Sequence, residues 1–161
     1  MVIVVMGVAG SGKSTVGQLL ARTLGWRFHD ADDLHPPRNR EKMQAGIALT
    51  DDDRGPWLEA VRSLIEQCIA GGVSAVIACS ALKQWYRDLL VVDPAKVKIV
   101  YLAGERKLIE ERLARRRGHF FNRQLLESQF DSLEEPRDAI VEDISRSPET
   151  IVESIRAKLA L

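Results

Sequence analysis

Gly7-Val8-Ala9-Gly10-Ser11-Gly12-Lys13-Ser14-Thr15 follows the apolar run Val2 to Met6 and opens a segment with helical periodicity. The pattern G-x-x-x-x-G-K-[ST], set between a strand and a helix, predicts a phosphate-binding loop. Its glycines let the backbone curl with N–H groups inward, where they cradle phosphate oxygens at a helix N-terminus. Lys13 can reach the β- and γ-phosphates, and the Ser14 hydroxyl can ligate Mg²⁺. The alternative is a glycine-rich turn that binds nothing. All four fixed positions with the right flanks weigh against it. The expected ligand is a nucleoside triphosphate, held by Gly7, Gly10, Ser11, Gly12, Lys13, Ser14 and Thr15.

The chain has 161 residues, 45% hydrophobic and 29% charged, which suits one globular domain over residues 1–161. Lys+Arg and Asp+Glu balance at 23 each, so no basic field favours a nucleic-acid partner. No apolar stretch reaches the length of a membrane span, and Met1 to Met6 is too short for a signal peptide. Cys68 and Cys79 lack metal-ligand spacing and read as buried thiols, which fits a reduced, cytoplasmic setting.

Outward from the loop, Val16, Leu19, Leu20 and Leu24 keep one helical face apolar as far as Gly25. Residues 26–30 alternate as a short strand, and a polar, proline-rich turn leads to a short helix ending at Gly46. Thr50 to Pro56 reads as a turn-and-cap cluster before a long helix that stops at Gly71-Gly72. Val73 to Cys79 and Val97 to Leu102 read as buried strands, with a short helix carrying Tyr86 and Arg87 between them. A basic helix is expected over about 106–117, another over about 123–133, a weak strand over 139–144, and a last helix striped by Ile151, Val152, Ile155 and Leu159. Strands alternating with helices predict an α/β fold, its mainly parallel sheet covered on both faces.

A phosphate loop alone does not separate kinases from switches or mechanical ATPases. The strand Val73–Cys79 ends without the carboxylate a motor ATPase would want, and no Asn-Lys-x-Asp segment of the GTPase type is present. The carboxylates follow the second strand instead, as Asp30 and Asp32, at an edge where ligands gather in open parallel sheets. One could hold Mg²⁺ through water while the other accepts a proton from a substrate hydroxyl, the division of labour that phosphoryl transfer requires. Solvated turn aspartates are the plainer alternative. Arg112, Arg115, Arg116 and Arg117 end a helix before Gly118. They read either as an exposed basic helix end or as a glycine-hinged lid that steadies a transferring phosphoryl group. Residues 35–54 offer both charge signs, as a polyhydroxylated anion would need. At least one of Asp51, Asp52 and Asp53 is expected to cap a helix. Lys83 and Arg87 fall just past a strand end, on the ligand-bearing edge.

Asp30-Ala31-Asp32-Asp33-Leu34-His35-Pro36, Asn39, Lys42-Met43, Gly46, Leu49 and Asp51-Asp52-Asp53-Arg54 with Pro56-Trp57-Leu58 together resemble the gluconokinases. So do Cys79-Ser80-Ala81-Leu82-Lys83, Tyr86-Arg87-Asp88, Arg112, Arg116, Gly118-His119-Phe120-Phe121, Leu126, Ser128-Gln129-Phe130 and Leu133-Glu134-x-Pro136. The resemblance implies ATP-dependent phosphorylation of D-gluconate at its 6-hydroxyl, giving ADP and 6-phosphogluconate for the pentose phosphate pathway. It also implies the three-layer α/β/α fold of shikimate and nucleoside monophosphate kinases: five parallel strands in the order 2-3-1-4-5 and an arginine-bearing lid over about 115–135. A homodimer is implied as well. By similarity to shikimate kinases, Asp30 falls at the magnesium-water position, Asp32 is the substrate-binding candidate base, and Arg116 is the lid arginine. Arg112 and Pro148 would sandwich adenine. The substrate region spans about 30–57, and His35, Arg54, Lys83 and Arg87 are the candidates for the gluconate carboxylate. The family's Asp-Gly-Asp is Asp-Ala-Asp here, so Ala31 is expected at negative φ.

Overall fold

Five consecutive residues with no solvent exposure, Val2–Met6, form β1, the middle strand of the sheet. In the computed structural model, which describes residues 1–116 and 122–161, the other strands are β2 (Arg27–Asp30), β3 (Ala75–Ala78), β4 (Val97–Ala103) and β5 (Ile140–Asp143). All pair in parallel in the order β2-β3-β1-β4-β5, the expected order, with Val4 opposite Ile77 on one side and Ile99 on the other.

Side chains alternate across a strand, so β1 feeds two cores. Val2, Val4 and Met6 pack with Trp57, Leu58, Val61 and Ile65 of α3 (Asp51–Ala70) and with Tyr86 and Leu90 of α4 (Gln84–Leu90). Ile3 and Val5 pack on the other face with Val16 and Leu20 of α1 (Lys13–Leu24) and with Ile151, Val152 and Ile155 of α7 (Pro148–Leu159). A strand walled on both faces has no polar side to show, which is why it reads as a continuous apolar run. The remaining helices are α2 (Pro37–Gln44), α5 (Arg106–Arg115) and α6 (Arg123–Ser132). The expected lid comprises the end of α5 and the whole of α6. Arg117 and the Gly118-His119-Phe120-Phe121 string lie outside the described residues.

After β2, residues Ala31–Leu34 form a 3-10 turn, with Asp30 Oδ1 accepting from the Asp32 N–H as its cap. One local expectation needs correction. The Thr50–Pro56 segment is not a turn but the opening of α3. The Thr50 hydroxyl accepts from Asp53 N, and Asp53 Oδ2 accepts from Thr50 N, a reciprocal capping box strong enough to start the helix ahead of Gly55 and Pro56.

Candidate active site

The phosphate loop joins β1 to α1 and needs backbone conformations that favour glycine. Gly10 has φ 78° and Gly12 φ 92°. A Cβ at Gly7 would come within 2.6 Å of Ser11 Oγ, so Gly7 permits the curl without lining either recess described below. Ser11 Oγ is buried with no hydrogen-bond partner among the described residues, a donor left over inside a loop of inward N–H groups. Among the described residues, Lys13 Nζ donates only to the Val8 carbonyl, at 3.0 Å. Desolvation deep in the cleft lowers its pKa, opposed by Asp32, Cys79 and Asp30 and reinforced by Arg116. An ammonium held this way, with no carboxylate in salt-bridge contact among the described residues, fits a site that receives an anion.

A cleft of about 220 Å³ opens beside this loop. Gly10, Gly12, Lys13 and Ser14 form its phosphate end, and Arg116 and Ser80 stand beside them. Asp32, His35, Met43, Leu49, Arg54 and Trp57 line it as well. Leu125, Ser128 and Gln129 of α6 close the remaining wall, and Gln129 Oε1 accepts from Ala9 N at 2.6 Å, tying the lid helix to the phosphate loop. A second recess of about 200 Å³ lies across the loop, lined by Ser11, Thr15, Arg112, Arg116, Arg146 and Pro148 among others. Arg112 donates to the Ile144 carbonyl, which fixes its guanidinium near Pro148. Arg116 borders both recesses, as a group between a donor nucleotide and its acceptor must.

Ser14 Oγ donates to Asp30 Oδ2 at 2.7 Å, so the two oxygens sit where a phosphate-bound Mg²⁺ could be held directly by one and through water by the other. No cluster of three or more His, Cys, Asp or Glu suited to a metal occurs among the described residues. Asp32 is exposed on the cleft wall, yet the protein crowded around it strips part of its carboxyl's hydration. That desolvation raises its pKa above the ordinary carboxylate value, against the pull of Lys13.

The shikimate kinase family profile matches residues 9–160. The chain is 48% identical to a probable gluconokinase of Rattus norvegicus over 153 residues, 84% of this chain and 83% of the rat protein. It is 45% identical to the thermoresistant gluconokinase of Escherichia coli K12, covering 95% of this chain and 90% of that one. The chain belongs to the gluconokinase family. A solved gluconokinase from Sinorhizobium meliloti 1021 superposes with a TM-score of 0.87 at 43% identity, over 98% of this chain and 90% of the other.

In this gluconokinase-family chain, two expected substrate residues do not line the cleft. Arg87 is 3% exposed, and its guanidinium donates to the carbonyls of Ala81, Leu82 and Glu134 and to Gln84 Oε1. It is a structural tie, with both terminal nitrogens bonded to protein oxygens and Nε buried without a partner among the described residues. Lys83 Nζ donates to both oxygens of Asp51, at 3.0 and 3.1 Å. His35 does line the cleft, but not as a cation: burial first, then Arg40 and Arg54, lowers its pKa to about 4, so it is neutral at pH 7. Arg54 remains. Its Nη1 donates to the Tyr86 hydroxyl at 3.2 Å and lies 3.8 Å from Asp51.

Ala31 is not among the residues at positive φ, and it is fully buried with its carbonyl accepting from Trp57 Nε1 at 2.7 Å. The methyl group therefore packs under the site without straining the turn. Ser128 and Gln129 stand in the sequence only as letters of the family string, and Leu125 is not in that string at all, because a neutral side chain in an amphipathic helix carries no chemical signal.

Proposed function

We propose that this chain transfers the γ-phosphoryl group of ATP to the 6-hydroxyl of D-gluconate, releasing ADP and 6-phospho-D-gluconate for the pentose phosphate pathway. One observation supports the reading: a single cleft is lined by Lys13 and Arg116, by the Asp32 carboxylate, and by a further cation, Arg54, so it brings together groups for a phosphate, a hydroxyl and an anionic acceptor. The family membership supports gluconate as the acid that fills it.

In this reading the loop N–H groups, Ser11, Lys13, Ser14 and Thr15 bind the phosphates, and Arg112 and Pro148 hold the adenine. Ser14 and Asp30 hold Mg²⁺, which when bound neutralises phosphate charge and orients the transferring group. Asp32 accepts a hydrogen bond from the acceptor hydroxyl and takes its proton as the new O–P bond forms. Lys13 and Arg116 balance charge on the phosphoryl oxygens.

Arg54 holds the gluconate carboxylate. Asp51 carries one negative charge between two cations, Lys83 and Arg54, so this trio keeps a net positive charge for the substrate. Tyr86 donates its hydroxyl to Asp51 Oδ1 at 2.6 Å and accepts from Arg54, which steadies the guanidinium. Lys83 thus serves by occupying Asp51.

The test is ADP release with ATP and Mg²⁺ against D-gluconate, shikimate, D-glucose and AMP. Strong stimulation by gluconate alone, with phosphate on O6, is expected. Stimulation by another acceptor would keep the catalytic parts and reassign the Arg54 end. Silence with all four would end the kinase reading. Assembly as a homodimer rests on the resemblance, and sedimentation reads it directly. A cytoplasmic location rests on the buried free thiols Cys68 and Cys79 and on the small, charged metabolites of the reaction.

A further inference from the structure

Asn39 touches no part of the cleft, is 2% exposed, and has an amide group whose orientation its partners fix. Its Nδ2 lies 2.8 Å from the Asp53 carbonyl oxygen and 3.2 Å from His35 Nδ1. A backbone carbonyl only accepts, so the atom facing it is the nitrogen, and its two hydrogens serve the two contacts. His35 Nδ1 therefore accepts, and in a neutral imidazole the proton is then on Nε2. His35 Nε2 has no protein partner among the described residues and is not among their buried unpartnered atoms, while His35 lines the cleft. The ring is clamped flat on Trp57, at a centroid distance of 4.3 Å and an interplanar angle of 12°. Trp57 is itself fixed by its bond to the Ala31 carbonyl.

We infer that Asn39 is a positioning residue that fixes His35 in its Nε2–H form, making the ring an uncharged donor to a hydroxyl oxygen of the acceptor between Asp32 and Arg54. This rests on the sugar-acid kinase reading. It gives the cleft a way to recognise a hydroxyl without adding a second cation to compete with Arg54 for the carboxylate. Burial and two charged neighbours, Arg40 of α2 and Arg54 of α3, oppose protonation of the ring, while Asp32 of the 3-10 turn, which lines the same cleft, would favour it. A donor that is neutral throughout the working range makes acceptor binding insensitive to pH at this contact.

The direct test is ¹⁵N–¹H correlation spectroscopy of the full-length protein without substrate. Expected is an unprotonated Nδ1 and a protonated Nε2 that do not titrate between pH 8 and pH 5. An Nδ1–H form, or titration near pH 6.5, overturns the inference. In kinetics, His35→Leu should raise KM for the acceptor about tenfold or more, as expected when a buried partner is left unpaired, with KM for ATP little moved. His35→Gln, whose amide nitrogen reaches about where Nε2 lies, should recover most of that loss. Equal damage in both variants also overturns the inference. Asn39→Leu should reproduce the acceptor KM rise and release His35 to titrate. The spectrum does not depend on which acid is the acceptor. A correct tautomer with no response to gluconate would therefore fault the substrate, and a wrong tautomer with strong gluconate turnover would fault only this inference.

Discussion

Lys13 and Asp32 feel each other's charge along the cleft, and each is pushed toward its neutral form by partial desolvation and back by its partner. Phosphates arriving at Lys13 would stabilise its charge, whereas Asp32 needs only to accept one proton from a hydroxyl. The two roles separate in kinetics. Asp32→Asn keeps the shape and removes the proton acceptor, so turnover should fall about 10²–10⁴-fold while ATP affinity by calorimetry stays within a few-fold. An unaltered turnover number would take Asp32 out of the mechanism. Charged residues such as these were legible in the sequence because their chemistry is written in their type. What the sequence withheld was which charges are already spent. Arg87 and Lys83 looked as available as Arg54 until the carbonyls around the one and Asp51 beside the other came into view. The neutral amides, Asn39 and Gln129, stood only as letters of the family string, since their importance is entirely in what they touch.

Among the elements, α4 and the segment before it show how a cleft wall is held from behind. Ala81 sits at φ 42°, a left-handed conformation that a non-glycine residue adopts only when its surroundings enforce it. Arg87, one helix turn on, grips the Ala81 and Leu82 carbonyls and reaches across to Glu134 beyond α6. Ser80 and Leu82, on either side of Ala81, line the cleft. Arg87→Met should therefore cost about 3 kcal/mol of stability by leaving buried carbonyls unpaired, and it should raise KM for the acceptor without touching any ligand itself. Chemical denaturation and initial rates measure the two effects, and a variant of unchanged stability would refute the tie. The element boundaries were legible wherever one apolar face repeated, as in α1 and α7. They failed at the start of α3, where Gly55 and Pro56 suggested a break that the Thr50–Asp53 capping box overrides.

At the scale of the whole molecule, the apolar runs declared a parallel sheet buried on both faces. The strand order came from family likeness, since hydrophobic pattern alone does not say which buried strand lies beside which. Placing the site at the sheet's carboxyl edge has a cost that global stability should register, because it buries titratable groups. His35 is the clearest. Its folded pKa of about 4 lies below the ordinary 6.5, so the unfolded chain binds a proton that the folded chain refuses between those values. Stability then falls as pH drops from 6.5 to 4, by at most about 3 kcal/mol for this one group. Asp32 runs in the opposite sense. Its raised pKa lets the folded chain take up a proton first, which favours folding as pH falls toward the ordinary carboxylate value of 3.8. Asp51 and Asp53, held below that value by hydrogen bonds from Tyr86 and Lys42, give up their contribution only in stronger acid. The His35 share is isolated by difference. From pH 7 to pH 4, the wild-type chain should lose up to about 3 kcal/mol more unfolding free energy than His35→Gln, which cannot titrate. Urea denaturation across that range measures it. Parallel acid limbs for the two proteins would mean that His35 accepts a proton in the folded state as readily as in the unfolded chain.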